Sequence, residues 1–379
     1  MFPAAGEQYH PPVPQTRREF IAAAGALASA AHVRMLLAQG GRQPSLSAAD
    51  VDALFDRSIV FDALSADERW QDPEPIFAAY KASGVAAIHT SLANRNLAAA
   101  QRDLTTWQQR FEKWPDRLLK IARAADIADA RKTGRVGVLL GFQNATIVES
   151  SIRNLDTLYE AGARCIQLTY NSRNLLGDGC TERTNAGLST FGVSVVERMN
   201  ELGIIVDLSH CGEATSRDGI RFSTRPPAFT HTMCKAIYDH VRAKPDDLIK
   251  ALSDKGGVTG MATLGYFIGP TPETTLDDYL RHVDHAVTVA GIDHVGLASD
   301  YSIRGIGAIH TRESWYVPRL SSFPPVYRVR WPPWIPELDV PARFRNIAHG
   351  LAKRGYTSAQ IEKLLGGNWV RFLGDTLRS

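Results

Sequence analysis

The sequence predicts an α/β protein folded as a (β/α)₈ barrel, with a doubly wound open sheet as the alternative. Three observations point there. Eight short runs rich in Val, Ile and Leu recur along the chain, at residues 59–64, 85–91, 136–142, 165–170, 204–210, 227–232, 257–263 and 294–300. They are continuously apolar rather than alternating, as parallel strands are when helices cover them. Amphipathic stretches separate them, and eight strand-and-helix units make a closed barrel with insertions. No GxGxxG turn follows the first run, which counts against the open sheet. A chain of 379 residues with 44% hydrophobic residues has enough apolar surface for such a core.

Taken in order, the chain begins with a segment of another kind. Thr16-Arg17-Arg18-Glu19-Phe20-Ile21 precedes a small, apolar run at 22–31, and Ala28-Ser29-Ala30 has the form of a cleavage site. Paired arginines before a short apolar stretch have the layout of a twin-arginine export signal. The run is too short to span a bilayer as a stable helix. Residues 1–40 are therefore expected to be an export signal and linker, which places the protein in the periplasm or outside the cell. Residues 41–379 are expected to form a single barrel.

Within it, residues 92–131 are polar and arginine-rich with helical periodicity, so one or two outer helices are expected. Helices are also expected over 151–161, 188–202, 246–255 and 275–290, several opening on Ser, Thr or Asp as N-caps. Gly162 and Gly203 stand where left-handed stops would end two of them. Residues 302–338 hold Trp315, Tyr316, Phe323, Tyr327, Trp331 and Trp334 among many prolines. A stretch of that length and composition after the last strand reads as a lid or an oligomer contact.

Charge and cysteines exclude several function classes. Formal net charge is +3, with the two signs nearly balanced, so neither nucleic acid nor an anionic membrane is expected as a partner. The four cysteines, Cys165, Cys180, Cys211 and Cys234, form no CxxC pair, against a zinc ribbon. One or two disulfides are open to them in an oxidising compartment. Neither a GxxxxGK[ST] phosphate loop nor a GxSxG nucleophile elbow is present.

Barrel active sites form at the C-terminal ends of the strands. Those ends carry His89, Gln143, Tyr170, His210, His231 and Asp300. His210, in Val206-Asp207-Leu208-Ser209-His210, and His231, in Phe229-Thr230-His231-Thr232, lie on consecutive runs, where two imidazoles can meet at one metal. Asp300 is the natural carboxylate for a third ligand or for proton transfer, with a turn cap as its plainer role. Ser209 and His210 are adjacent on a strand and point apart, so no Ser–His couple is expected there. Cys211 would need a sharp turn to reach a metal shared with His210.

These residues resemble the membrane (renal) dipeptidases, peptidase family M19. The matching segments are Asp207-Leu208-Ser209-His210, Thr230-His231, Asp239-His240-Val241-Arg242, Gly256-Gly257-Val258, Ala298-Ser299-Asp300 and Gly366-Gly367-Asn368-Trp369, in the same order. The resemblance implies a metal-dependent-hydrolase barrel with two bridged zinc ions. It implies that His210 and His231 hold one zinc, that Asp300 carries a proton, and that Arg242 holds the substrate's terminal carboxylate.

The chain departs from the family pattern at the other zinc. The family reads Asp-Gly-His-Asn-Asp on the first strand, and here Asp62-Ala63-Leu64-Ser65-Ala66 replaces both ligands with Leu64 and Ala66. The bridging glutamate corresponds to Gln143, a neutral amide and a poor zinc ligand. Tyr170 replaces the histidine that polarises the scissile carbonyl. The expectation is therefore a dipeptidase-like hydrolase with one zinc on His210 and His231, Gln143 and Asp300 being the uncertain ligands. Tyr170 and Asp300 would be catalytic, and Arg242 and Tyr170 would bind a dipeptide or a small amino-acid derivative. The alternatives are a binding protein that lost its metal, or lyase or isomerase chemistry in the same pocket. The family also implies a homodimer.

Overall fold

The computed structural model describes residues 46–66 and 70–378, so the expected export segment lies outside the described residues. Among the described residues there are nine strands: β1 (Phe61–Ser65), β2 (Ala87–Ser91), β3 (Leu118–Lys120), β4 (Val136–Phe142), β5 (Ala163–Gln167), β6 (Ile205–Asp207), β7 (Ala228–Thr232), β8 (Val258–Ala262) and β9 (Val295–Ala298). Eight of them run in the order β1-β2-β4-β5-β6-β7-β8-β9, all pairs parallel, and β3 lies off that path beside β4. The last strand returns to the first. The Asp300 N–H donates to the Leu64 carbonyl at 2.9 Å, and the Ser299 N–H to Asp62 Oδ1 at 2.7 Å. The barrel is nearly closed, and each of the eight apolar runs became one of its staves.

The polar stretch 92–131 holds the expected outer helices, Leu97–Lys113 and Ala125–Thr133, with β3 between them. Three residues are too few for any periodicity to reveal a strand. The other helices start and stop for local reasons. Ser189 caps the helix Thr190–Leu202 by accepting from the Gly192 N–H, and that helix ends on Gly203 at φ +78°. Thr275 and Asp278 form a capping box at the head of Leu276–Ala290.

The Gly366–Trp369 segment builds the barrel floor. Trp369 and Phe372, on the helix Asn368–Thr376, pack with Phe61, Ala63, Leu139, Cys165 and Ile205 inside the strands. A Cβ on Gly296 would lie 2.2 Å from Trp369 Nε1, so β9 needs glycine there to admit the indole. Asn368 fastens this floor by donating to the Ile292 and Val295 carbonyls.

The aromatic segment 302–338 is ordered structure rather than open loop. It carries the helices Ile306–Ile309 and Arg312–Ser322. His240 Nε2 donates to the Tyr327 carbonyl at 2.8 Å, and Arg330 donates to Gly269 and Thr274, so the segment is tied to the loops after β7 and β8. All four cysteines are free thiols. Among the described residues, no helix is long and apolar enough to cross a membrane.

Candidate metal centre and active site

His231 sits within β7, and His210 lies three residues past Asp207 at the end of β6, in a turn. The two side chains converge as their positions predict. Their Nε2 atoms are 2.9 Å apart, and both residues are buried. Each ring is held from behind: His210 Nδ1 lies 2.7 Å from Asn171 Oδ1, and His231 Nδ1 lies 2.8 Å from Thr230 Oγ1. Burial, aided by the nearby Arg242 guanidinium, holds both imidazoles well below the usual histidine range, so both are neutral near pH 7.

Asp300 faces the pair. Its backbone lies in the left-handed region at φ +67°, where aspartate is tolerated, and Oδ1 is 3.9 Å from His231 Nε2. Asp62 sets that backbone. Its buried carboxylate accepts from the Ser299 N–H and hydroxyl, and burial pushes its pKa up to about 6. Tyr170 stacks on His210, with ring centroids 4.2 Å apart and planes 23° apart. Phe323 of the aromatic segment stands 6.4 Å from Tyr170 and 4.6 Å from Tyr327. The segment thus overhangs the histidine pair.

Arg242 is buried outright. It donates to the Ser209 carbonyl and, at 3.0 Å, to the His231 carbonyl, tying together the ends of β6 and β7. Its Nε–H has no partner. Gln143 follows directly on β4 and is half-buried, and its carbonyl accepts from Gln167. His89 belongs to the barrel interior. Its Nδ1 contacts the Ala63 carbonyl at 2.8 Å, and Nε2 lies where a Cβ on Gly141 would be, 2.2 Å away. Cys211 is buried, with burial pushing its thiol pKa up, and neither it nor His89 completes a metal cage.

The chemistry of the two histidines fits a metal ion. Two neutral imidazoles that present Nε2 to a common point are ordinary zinc ligands. Leu64 and Ala66 offer no donor for a second ion, and among the described residues no three His, Cys, Asp or Glu side chains converge as a complete cage. An ion on His210 and His231 would keep its other positions open to solvent, substrate or Asp300.

Sequence reasoning overlooked the residues behind the histidines. Asp207 and Thr230 stand inside the segments that carry His210 and His231, and their signal was a carboxylate and a hydroxyl on strands that are otherwise apolar. Asn171 sits at φ +59°, a position asparagine accepts more readily than most residues.

A model of the membrane dipeptidase family (peptidase family M19) matches residues 76–313. Dipeptidase verJ of Clonostachys rogersoniana is 28% identical over 282 residues, 73% of this chain and 65% of that protein. An uncharacterized dipeptidase of Schizosaccharomyces pombe is 34% identical over 191 residues, 48% of this chain and 46% of its own length. The match therefore spans less than two thirds of either relative. Among solved structures, an amidohydrolase from Pseudomonas aeruginosa is similar at 28% identity and a TM-score of 0.77, covering 88% of this chain and 99% of its own. A metallo peptidase from Rhodobacter sphaeroides, liganded with a phosphinate mimic of the dipeptide L-Ala-D-Ala, shares the fold at 18% identity and a TM-score of 0.69, covering 84% of this chain and 100% of its own. With the matched family model covering more than half of the chain, this protein belongs to the membrane dipeptidase family, peptidase family M19.

Proposed function

We propose that the protein is a metal-dependent hydrolase that cleaves the amide bond of a dipeptide or a small amino-acid derivative with one zinc ion held by His210 and His231. The observation that carries this reading is the 2.9 Å approach of the two Nε2 atoms, each ring tied at Nδ1. When bound, such an ion supplies Lewis-acid polarisation of a carbonyl and a more acidic water nucleophile.

The remaining roles belong to the chain itself. Asp300 Oδ1, 3.9 Å from His231 Nε2, would take the proton of the attacking water and return it to the leaving amine. The Tyr170 hydroxyl would donate to the oxygen on which charge develops. Arg242 would meet the substrate carboxylate with its unpartnered Nε–H and the second hydrogens of Nη1 and Nη2, the two backbone carbonyls having taken only two of its five. Phe323 and Tyr327 would cover the bound substrate and exclude water. The paired Arg17-Arg18 before a short apolar run supports export to the periplasm or beyond. A homodimer joined through the aromatic segment is consistent with the exposed Val317, Leu320 and Val326.

A second reading, a binding protein without catalysis, is favoured by Leu64 and Ala66, which remove one half of the family's metal site. The test is amine release from a panel of dipeptides and N-acyl amino acids, with zinc added. Turnover by the native protein that Asp300→Asn abolishes upholds the hydrolase. Dipeptide binding without turnover upholds the binder.

A further inference from the structure

We propose that Asp207 is a positioning residue of the histidine pair: acting through the Thr230 hydroxyl, it fixes His231 as the Nδ1–H tautomer and so turns the Nε2 lone pair toward His210. The inference rests on the metal-site reading above for its purpose, but a count of hydrogens carries it.

Asp207 is completely buried, and among the described residues no Lys or Arg side chain bonds to it. Four donors surround its carboxylate instead. Oδ1 accepts from the Ser209 N–H at 3.0 Å, the Ser209 hydroxyl at 2.6 Å and the Thr230 N–H at 3.1 Å. Oδ2 accepts from the Thr230 hydroxyl at 2.7 Å. An ionised carboxylate only accepts, and a hydroxyl has one hydrogen to give. The two hydroxyl oxygens also lie 3.1 Å from each other, but their contacts to the carboxylate, at 2.6 and 2.7 Å, are shorter and made to an anion, so both hydroxyl hydrogens are committed to Asp207.

Thr230 Oγ1 still lies 2.8 Å from His231 Nδ1. With its own hydrogen spent, it can only accept there, so the hydrogen of that contact sits on the imidazole. Ser209 follows the same rule. Its oxygen, having donated to Asp207, accepts the His231 backbone N–H at 3.1 Å. The ring is thus held at both ends of its residue by hydroxyls that one buried carboxylate orients. Its Nε2 is left as a lone pair, the tautomer a metal ligand needs, and the hydrogen of the 2.9 Å contact in the metal-free pair is then His210's to donate, with the Asn171 amide turned to give its Nδ2–H to His210 Nδ1.

The opposite arrangement is equally definite. With an amide at 207, Nδ2 donates to Thr230 Oγ1, and the hydroxyl hydrogen turns to His231 Nδ1. His231 then carries its hydrogen on Nε2 and donates it across the 2.9 Å gap to His210, and its lone pair is turned back to the Thr230 hydroxyl rather than toward a metal.

Long-range ¹H–¹⁵N correlation spectra of the metal-free protein, labelled at histidine nitrogen, read the tautomer directly. A parallel zinc titration reads affinity. The expected result is Nδ1–H at His231 in the native protein and in Thr230→Ser, with Nε2–H in Asp207→Asn. Zinc affinity should fall about 10-fold or more in Asp207→Asn and Thr230→Val and recover in Thr230→Ser. Nε2–H at His231 in the native protein overturns the proposal, and that measurement needs no variant to fold. So does a folded Asp207→Asn with unchanged tautomer and zinc affinity. The expected tautomers in a protein that binds no zinc uphold the role of Asp207 and overturn the hydrolase reading instead.

Discussion

Replacing Asp62 by asparagine should change how stability depends on pH, by an amount the structure sets. The carboxyl is fully buried and receives the Ser299 N–H at 2.7 Å, the Ser299 hydroxyl at 2.5 Å and the Leu64 N–H at 3.2 Å. Those donors favour the anion, but desolvation outweighs them, and the pKa rises from 3.8 to about 6. Folding therefore takes up a proton at intermediate pH. The stabilisation this gives is complete below the unfolded pKa and is lost as pH rises through about 6. Two units at about 1.4 kcal/mol each put the loss at about 2 to 3 kcal/mol between roughly pH 4 and pH 7.5.

Asparagine keeps the geometry. Oδ1 still accepts from the Ser299 N–H, and Nδ2 can donate to Ser299 Oγ, whose hydrogen then turns to the Leu64 carbonyl 2.9 Å away. The assay is urea unfolding of both proteins across that pH range at constant ionic strength. The stability difference should shift toward Asp62→Asn by about 2 to 3 kcal/mol from the acid to the neutral end. Taking the difference cancels His240 and His282, whose pKa burial lowers to about 4 and which tilt the slope the other way. A flat difference, or one moving toward the native protein as pH rises, would refute the assignment of a buried, proton-binding Asp62.

Three further substitutions probe the frame around the site. A Cβ at Gly260 would lie 2.0 Å from the Thr230 carbonyl oxygen, which is backbone and cannot swing away, so Gly260→Ala should cost roughly 1–3 kcal/mol by chemical unfolding and weaken zinc binding together with it. Trp369→Ala empties the barrel floor beneath Phe61 and should cost about 3–5 kcal/mol, read by the same assay. His240→Ala removes the bond to the Tyr327 carbonyl, and limited proteolysis should then cut within residues 302–338 several times faster than in the native protein, with cleavage in the barrel strands unchanged.

The fold was legible because parallel strands wrapped by helices must be apolar on both faces, and eight such runs stand out against polar connections. β3 escaped because Leu118-Leu119-Lys120 is too short to have a pattern. The site was legible in outline for a different reason. Barrel geometry gathers the strand ends, so His210, His231, Tyr170 and Asp300 could be picked out before their distances were known. What they lean on could not. Thr230 meets Asp207 only because β6 and β7 pair with Asp207 opposite Ala228, a register that no local sequence pattern encodes. Arg242 shows the same limit: its residue type invites a substrate carboxylate, while its position spends two donors on backbone carbonyls. Gly366-Gly367-Asn368-Trp369 was visible as a motif, but its part as the floor follows only from where the last helix enters the barrel.

The hydrolase reading requires that His210 and His231 hold one metal ion. Metal content by mass spectrometry, on protein purified without chelator and beside a folded His210→Ala variant, tests it most directly. About one zinc per chain in the native protein, lost in the variant, is the result predicted for two imidazoles converging on one point. No zinc in the native protein even after zinc is offered, or zinc retained in full by the variant, would contradict it.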